Sequence, residues 1–316
     1  IADEKSLWGY VLSYVQDPIE PKLQFIGTEF GLYVTVDGGK NWTKWTSGYP
    51  TVSTMDLKIH PREHDLIIGT FGRAAYILDD IRPLREIARL GKKIFNERLH
   101  FFKPPTAVLS INRQASGTRF NANAIFEGEN RKRGAMLSFI FNPSEKDKKQ
   151  MVKMEVLDAS GNIIRTINYA VESGLNRIYW ELRRKGVPTT MNLVTSFSNK
   201  GSTKFDTPEP SGPPVLPGEY TIRLTHEKES VVQKLNVITD PRVGINFQNL
   251  KGIQTIYNRQ MQITRSVNTT IIRILEAEKI VISVNKMLDE KENKIHEDLL
   301  MQGIALNDTL QTLKEL

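Results

Sequence analysis

Residues 11–39, VLSYVQDPIEPKLQFIGTEFGLYVTVDGG, are followed by a second version of themselves at residues 54–80, TMDLKIHPREHDLIIGTFGRAAYILDD. Asp17-Pro18 aligns with His60-Pro61 at an offset of 43 residues. Gly27-Thr28 aligns with Gly69-Thr70, and Val36-Asp37 with Leu78-Asp79, each at an offset of 42. An internal repeat constrains the fold more than any composition, because each copy must adopt the same supersecondary unit. Within each copy, short runs alternate apolar and polar residues with period two and are bounded by Pro, Gly and Asp, the pattern of half-buried antiparallel strands. Strands are expected at 9–16, 23–28, 31–36 and 42–46, then at 53–59, 65–70 and 74–79. A last strand is expected from HFFKP (100–104), after a basic connector at 83–97. Four short strands in a unit of about 42 residues describe a blade of a β-propeller.

The pattern changes at KPPT, residues 103–106. From there to about residue 240, strand-like runs recur: TAVLSIN, GAMLSFIFNP, MVKMEVLD, NIIRTINY, LNRIYWELR, GEYTIRLTH and SVVQKLNVI, with DASGN (158–162) joining two of them as a hairpin. About seven short strands over such a length predict an antiparallel sandwich of immunoglobulin or fibronectin type III kind. A segment rich in Ser, Thr, Pro and Gly, 184–218, interrupts it. After TDPR (239–242) there is no proline from Asn246 to Asp289, and apolar residues fall three or four apart at Leu250, Ile253, Tyr257, Val267, Ile271, Ile274, Val281 and Leu288. That spacing predicts one long amphipathic helix. The polar DEKENK (289–294) turns the chain, and Ile295, Leu299, Leu306, Leu310 and Leu313 form a second stripe. The expected architecture is mainly β with a helical C-terminus: two propeller blades and their connector over 1–103, a β-sandwich over 104–242 and an α-helical hairpin over 243–316.

Composition excludes several classes of function. The chain has 316 residues, 25% charged and 39% apolar, an ordinary globular balance with room for two or three cores. There are no cysteines, so disulfides, thiolate metal sites and a Cys nucleophile are ruled out. The longest apolar runs, IIRIL and IVISV, are far too short to span a bilayer, and no transmembrane segment is expected. The net charge of +7 is scattered over GKK, RKR, KDKK and RRK clusters without interleaved aromatics, so no nucleic-acid surface is expected. HPREHD brings His60, His64 and Asp65 together. Histidines four apart share a face only on a helix, and this stretch reads as a solvated turn between strands rather than a metal site. No metal and no cofactor are expected. The N-terminus, IADEKSLWGY, carries neither an initiator Met nor a signal-peptide pattern, which points to a processed form or a start further upstream.

Between the third and fourth strands of the first copy lies TVDGGKNW, the Asp-box pattern Ser/Thr-x-Asp-x-Gly-x-x-Trp, with Thr35, Asp37, Gly39 and Trp42 in the defining positions. Its chemistry is that of a turn. The Asp37 carboxylate is placed to accept backbone N–H bonds, Gly38 and Gly39 allow positive φ, and Trp42 packs its ring between neighbouring sheets. The second copy keeps Asp79-Asp80 but lacks the Gly pair and the Trp.

The run GTEFGLYVTVDGGKNW…DLKIHPREHDLIIGTFGRAAYILDDIRPL resembles the last two blades of sortilin-type propellers. It is more similar still to bacterial proteins of that group often labelled glycosyl hydrolases with BNR (Asp-box) repeats. GLNRIYWELR with GPPVLPGEYTIRL resembles their following all-β domain, and ITDPR before a long helix resembles their C-terminal helical part. The resemblance implies the C-terminal portion of a many-bladed protein, with the remaining blades supplied by the same protein or a companion chain. It also implies an exported protein: periplasmic, outer-membrane-associated or extracellular. Three activities follow from it: binding of a glycan or polypeptide ligand, glycoside hydrolysis, or a structural role with partners in a cell-envelope complex. Hydrolysis needs two carboxylates flanking a sugar. Glu29, at a strand-to-strand turn, is the local candidate for catalysis or binding, and Arg73, near the equivalent turn of the next copy, is placed to grip an anionic group. The alternative for both is a rim residue that satisfies a turn or pairs across blades.

Overall fold

The computed structural model describes residues 7–111, 131–143, 151–188, 209–289 and 294–315. Each copy of the repeat folds into an antiparallel meander. The first has four strands, β1 (Val11–Gln16), β2 (Gln24–Thr28), β3 (Gly31–Thr35) and β4 (Thr43–Trp45), paired in that order. The second has three, β5 (Thr54–Ile59), β6 (Leu66–Thr70) and β7 (Ala75–Leu78). The seven expected strands are all present within a residue or two of their expected bounds.

The copies match in detail as well as in outline. A β-bulge falls between Val11 and Ser13 in the first sheet and between Thr54 and Asp56 in the second, opposite Gly27-Thr28 and Gly69-Thr70 respectively. At the first turn, Asp17 Oδ1 accepts the N–H groups of Ile19 (2.8 Å) and Glu20 (2.7 Å). His60 Nδ1 does the same for Arg62 (3.3 Å) and Glu63 (3.1 Å). Two different side chains perform one task, holding the Pro-containing turn by an acceptor that reaches two and three residues ahead.

Alternation assigns each strand two faces. Phe25, Leu32, Val34 and Val15 face the second sheet, where Leu57, Leu66, Ile68, Tyr76 and Leu78 complete a shared core. Ile26 and Tyr33 face the other way and form a small separate cluster with Leu7 and Trp42. The sheets approach closely at Gly27, beside which Ser13 Oγ donates to the Thr54 carbonyl at 3.0 Å.

After β7 the chain departs from expectation. Residues Arg82–Leu90 form helix α1, followed by a 3₁₀ turn at Gly91–Asn96. Ile81, Leu84, Ile87 and Ala88 recur at helical spacing, and Pro83 sits in the first turn, where its missing N–H costs nothing. Their apolar side covers the shared core. The segment HFFKP does not supply a fourth strand to the second sheet. Its His100 and Phe101, with the preceding Leu99, form β8 (Leu99–Phe101), which pairs with β10 (Ala135–Phe141). Leu99 and Phe101 are instead buried opposite Phe141 and Phe139 of β10.

The remaining sheets follow the expected runs: β9 (Ala107–Leu109), β11 (Met151–Leu157), β12 (Ile163–Ala170), β13 (Gly174–Trp180), β16 (Gly218–His226) and β17 (Glu229–Thr239). A three-stranded sheet has the order β13-β10-β8 and a five-stranded sheet the order β12-β11-β16-β17-β9. Strand β10 is buried along its whole length, which explains its nearly unbroken apolar sequence AMLSFIF. Its Ile140 joins the core under the repeat sheets, while Phe141 packs edge-on against His226 of β16 at 4.7 Å. The DASGN hairpin turn is present: Asp158 Oδ1 accepts the N–H groups of Ser160 and Asn162 at 3.0 and 2.9 Å.

The chain divides into two compact units. One comprises 1–163, 168–181 and 218–238, and the other 164–167, 182–217 and 239–316. In the second unit a short ribbon pairs β14 (Arg183–Lys185) with β15 (Ser211–Pro214), and most of the Ser/Thr/Pro/Gly-rich segment between them lies outside the described residues. Helices α2 (Phe247–Asp289) and α3 (Lys294–Glu315) pack together. Gly303 abuts Asn285, and Gln311 Nε2 donates to Glu278 Oε1, so the helices run antiparallel. With 22 residues against 43, α3 covers only part of α2. Leu275 is accordingly buried, whereas Ile253, Tyr257 and Val267 of the expected stripe are exposed.

A Cβ at position 27 would collide with Ser13 Oγ and lie 2.5 Å from the Thr54 carbonyl oxygen; at position 69, the same place in the second copy, the nearest atom is at 3.5 Å. Gly27→Ala is expected to lower stability by about 1–3 kcal/mol, and Gly69→Ala to change it by less than about 0.5 kcal/mol. Urea denaturation midpoints of the two variants check this.

Candidate functional site

Antiparallel pairing places the β2–β3 and β6–β7 turns at one end of the repeat sheets and the β1–β2 and β5–β6 turns at the other. At the first end stands Glu29, half-buried. Its Oε2 accepts the Tyr10 N–H at 3.0 Å, and its own N–H donates to the Tyr10 carbonyl at 3.3 Å. The Glu29 carbonyl accepts Ser53 Oγ–H at 3.1 Å, and the Ser53 carbonyl accepts the Phe71 N–H at 2.9 Å. Ser53 therefore bridges the turn that carries Glu29 and the turn that carries Arg73. The two predicted residues do not meet through their side chains. Arg73 is exposed, with no ion-pair partner among the described residues.

Aromatic rings surround this edge. Trp8 stacks on Phe30 with centroids 4.3 Å apart and planes 18° from parallel, and Lys44 Nζ lies 5.2 Å from the Trp8 ring centre. Tyr10 is 79% exposed and Phe71 75% exposed. Exposed ring faces, one oriented carboxylate and a free guanidinium are groups chemically able to contact a ligand. Glycoside hydrolysis requires a second carboxylate across the substrate, and among the described residues none shares the hydrogen-bond network of Glu29. Tyr10, Ser53 and Phe71 were not singled out in the sequence; the match of Gly27-Thr28 with Gly69-Thr70 was the signal that the two following turns are equivalent.

The Asp box is a turn staple in every bond. Asp37 Oδ1 accepts the Thr35 hydroxyl (2.8 Å) and the N–H groups of Lys40 (3.0 Å) and Asn41 (2.9 Å), while Oδ2 accepts Asn41 Nδ2 (2.7 Å). Thr35 Oγ1 also accepts the Gly39 N–H at 3.1 Å. Gly38 and Gly39 have φ of 76° and 89°. Burial alone would raise the Asp37 carboxyl, but the Asn41 side chain and backbone, the Thr35 hydroxyl and the Lys40 N–H outweigh it and lower the pKa to about 2. Trp42 packs on Ile26 and Tyr33, the side of its own sheet turned away from the second sheet.

At the opposite end a polar clamp occupies the residues of HPREHD and DDIRPL. Arg131 Nη2 contacts Asp65 Oδ1 (2.5 Å) and Asp79 Oδ1 (2.9 Å). Arg177 donates to the carbonyls of Asp79 (2.6 Å) and Asp80 (3.0 Å). Buried Asp80 accepts from Arg82, and Arg85 Nε donates from α1 to buried Asp17 Oδ2, in the β1–β2 turn, at 2.8 Å. Strand register corrects the aligned offset here: Gln24 opposes Thr35 as Leu66 opposes Leu78, so the structural counterpart of Asp37 is Asp80, which accepts from Arg82 instead of stapling a turn. Among the described residues no group of three or more potential ligands could hold a metal ion, and His60 already serves its own turn. No helix among them is long and apolar enough to cross a membrane. No family model matches the chain, and no curated protein matches it.

The folded-state pKa of Asp37 lies below the ordinary unfolded value of about 3.9. Its contribution is therefore fully present above that value and is lost as pH falls towards 2. Asp37→Ala is expected to cost about 1 kcal/mol at neutral pH. In thermal melts from pH 7 to 2, the gap between the variant and the parent protein should narrow below about pH 4.

Proposed function

We propose that residues 1–103 are the last two blades of a sortilin-type, BNR-repeat β-propeller, followed by an immunoglobulin- or fibronectin-like sandwich at 104–242 and a helical hairpin at 243–316. In this reading the chain is the C-terminal portion of an exported protein that binds a glycan or polypeptide. One observation carries it: two matching meander sheets stack face to face, and the outer face of each still presents apolar side chains. Tyr14 on the first is 54% exposed and Ile77 on the second 63% exposed, with Trp42 on the same side as Tyr14. Stacked blades each need a neighbour on both faces, and further blades of the same protein or of a companion chain would cover these. The first strands β1 and β5 meet at Ser13 and Thr54, as do the inner strands of adjacent blades.

Binding is favoured over hydrolysis by the chemistry of the edge, where aromatic rings accompany a single carboxylate that is already engaged by Tyr10. A hydrolase would draw its second carboxylate from another blade. The exposed apolar residues of α2 support the third reading, a subunit of a cell-envelope complex, less directly.

Binding to panels of oligosaccharides and of unfolded polypeptides, with reducing-sugar release followed in parallel, tests the proposal. Saturable binding without sugar release is expected, weakened about tenfold by Tyr10→Ala with Phe71→Ala. Sugar release abolished by Glu29→Gln would replace the binding reading with the hydrolase; binding unaffected by the double variant would remove the aromatic edge from it.

A further inference from the structure

At the end of the repeat sheets opposite Glu29, a cleft of about 470 Å³ lies between the β1–β2 turn, α1 and residues 102–106. That volume falls within the range of small-molecule sites. Arg82, Arg85 and Arg89 enter it from the single helix α1, and Lys103 from the facing segment; the carboxylates in its lining are Glu20 and Glu86. Ile19, Pro83, Phe102, Pro104 and Pro105 supply apolar wall.

The cationic groups are built into the site to different depths. The Arg85 side chain is only 9% exposed. Its Nε donates to Asp17 Oδ2 at 2.8 Å, and its Nη1 lies 3.0 Å from His64 Nδ1. The Nη2 group is 2.8 Å from the same Asp17 oxygen, yet it makes no hydrogen bond there or elsewhere. Buried N–H donors without acceptors are costly and rare, and this one belongs to a group lining a cleft. Arg82 commits its Nε and its backbone N–H to one oxygen of Asp80, leaving its terminal nitrogens for another acceptor. Glu86 is engaged by His100 Nε2 at 3.1 Å. Arg89 and Lys103 are exposed and have no acidic partner among the described residues. His64 does not add a charge: burial, with the nearby Arg85 and Arg82, lowers its pKa and favours the neutral ring.

We propose that this cleft binds a small acidic ligand, its carboxylate, sulfate or phosphate head held by the arginines of α1 and its compact body resting on Phe102 and the prolines. Arginine suits such heads because its planar fork donates two parallel hydrogen bonds. The site is independent of the ligand-binding edge at Glu29, because antiparallel pairing sets the two at opposite strand ends.

Titration of the full chain with glucuronate, inorganic sulfate and inorganic phosphate, with glucose as the neutral control, tests the proposal by calorimetry and amide chemical shifts. Saturable binding of at least one anion and none of glucose is expected, with shifts centred on Arg82, Arg89 and Phe102. Preference for glucuronate identifies a carboxylate on a sugar-sized body, whereas preference for sulfate or phosphate identifies a tetrahedral head. The double variant Arg89→Glu with Lys103→Glu, at exposed positions whose charge reversal should leave the melting temperature unchanged, is expected to bind at least about tenfold more weakly. Absence of saturable binding by all three anions, or equal binding by the double variant, would overturn the assignment.

Discussion

Phe25 and Leu32 of the first sheet meet Leu57, Leu66 and Ile68 of the second, and this face-to-face contact is what the rest of the first unit is built around. Burial of such side chains contributes roughly 1.5–3 kcal/mol each. The contact also dictates geometry. Strand alternation commits one face of each sheet to the shared core, so the opposite faces, with Tyr14 and Ile77, must point away from it. Helix α1 and Ile140 of β10 complete that core. Both candidate surfaces follow from this arrangement, one at each end of the paired strands.

Polar interactions refine what the apolar contact fixes. The Arg85–Asp17 pair joins α1 to the first sheet from within a buried setting, where the desolvation of both charges offsets much of their attraction. Its effect is better described as choosing one placement of the helix than as adding stability. Asp17 holds the first turn as well, so a single carboxylate couples the turn, the helix and the lining of the cleft. Arg177 performs a comparable task from β13, reading the carbonyls of Asp79 and Asp80 at the point where the repeat ends.

Much of this fold was legible in the sequence, because strands with one wet and one dry face write a period of two. The offsets of 42 and 43 located the equivalent turns, and even the one-residue difference has a physical counterpart. Strand positions before the first turn, such as Val11 and Thr54, are related by 43, those of the next strand, such as Thr28 and Thr70, by 42, and those of the third, such as Thr35 and Leu78, by 43 again. Helix α1 was missed because three arginines at 82, 85 and 89 gave its segment the look of a basic connector, although Ile81, Leu84, Ile87 and Ala88 carried the helical spacing. The Asp box was fully legible, since its bonds are all local. The Glu29 edge was legible only as two turns. What joins them, Ser53, acts through a backbone carbonyl and a hydroxyl that no side-chain pattern advertises. The Asp17–Arg85 pair spans 68 residues and exists only because two sheets and a helix converge.

The central claim is that the outer faces of the two repeat sheets belong inside a larger stack. An experimental structure of the protein purified intact from its native source tests it most directly. The account predicts a further antiparallel meander sheet on each outer face, one covering Tyr14 and Trp42 and another covering Ile77. Tyr14, Trp42 and Ile77 left open to solvent in that structure, with no sheet on either side, would contradict it.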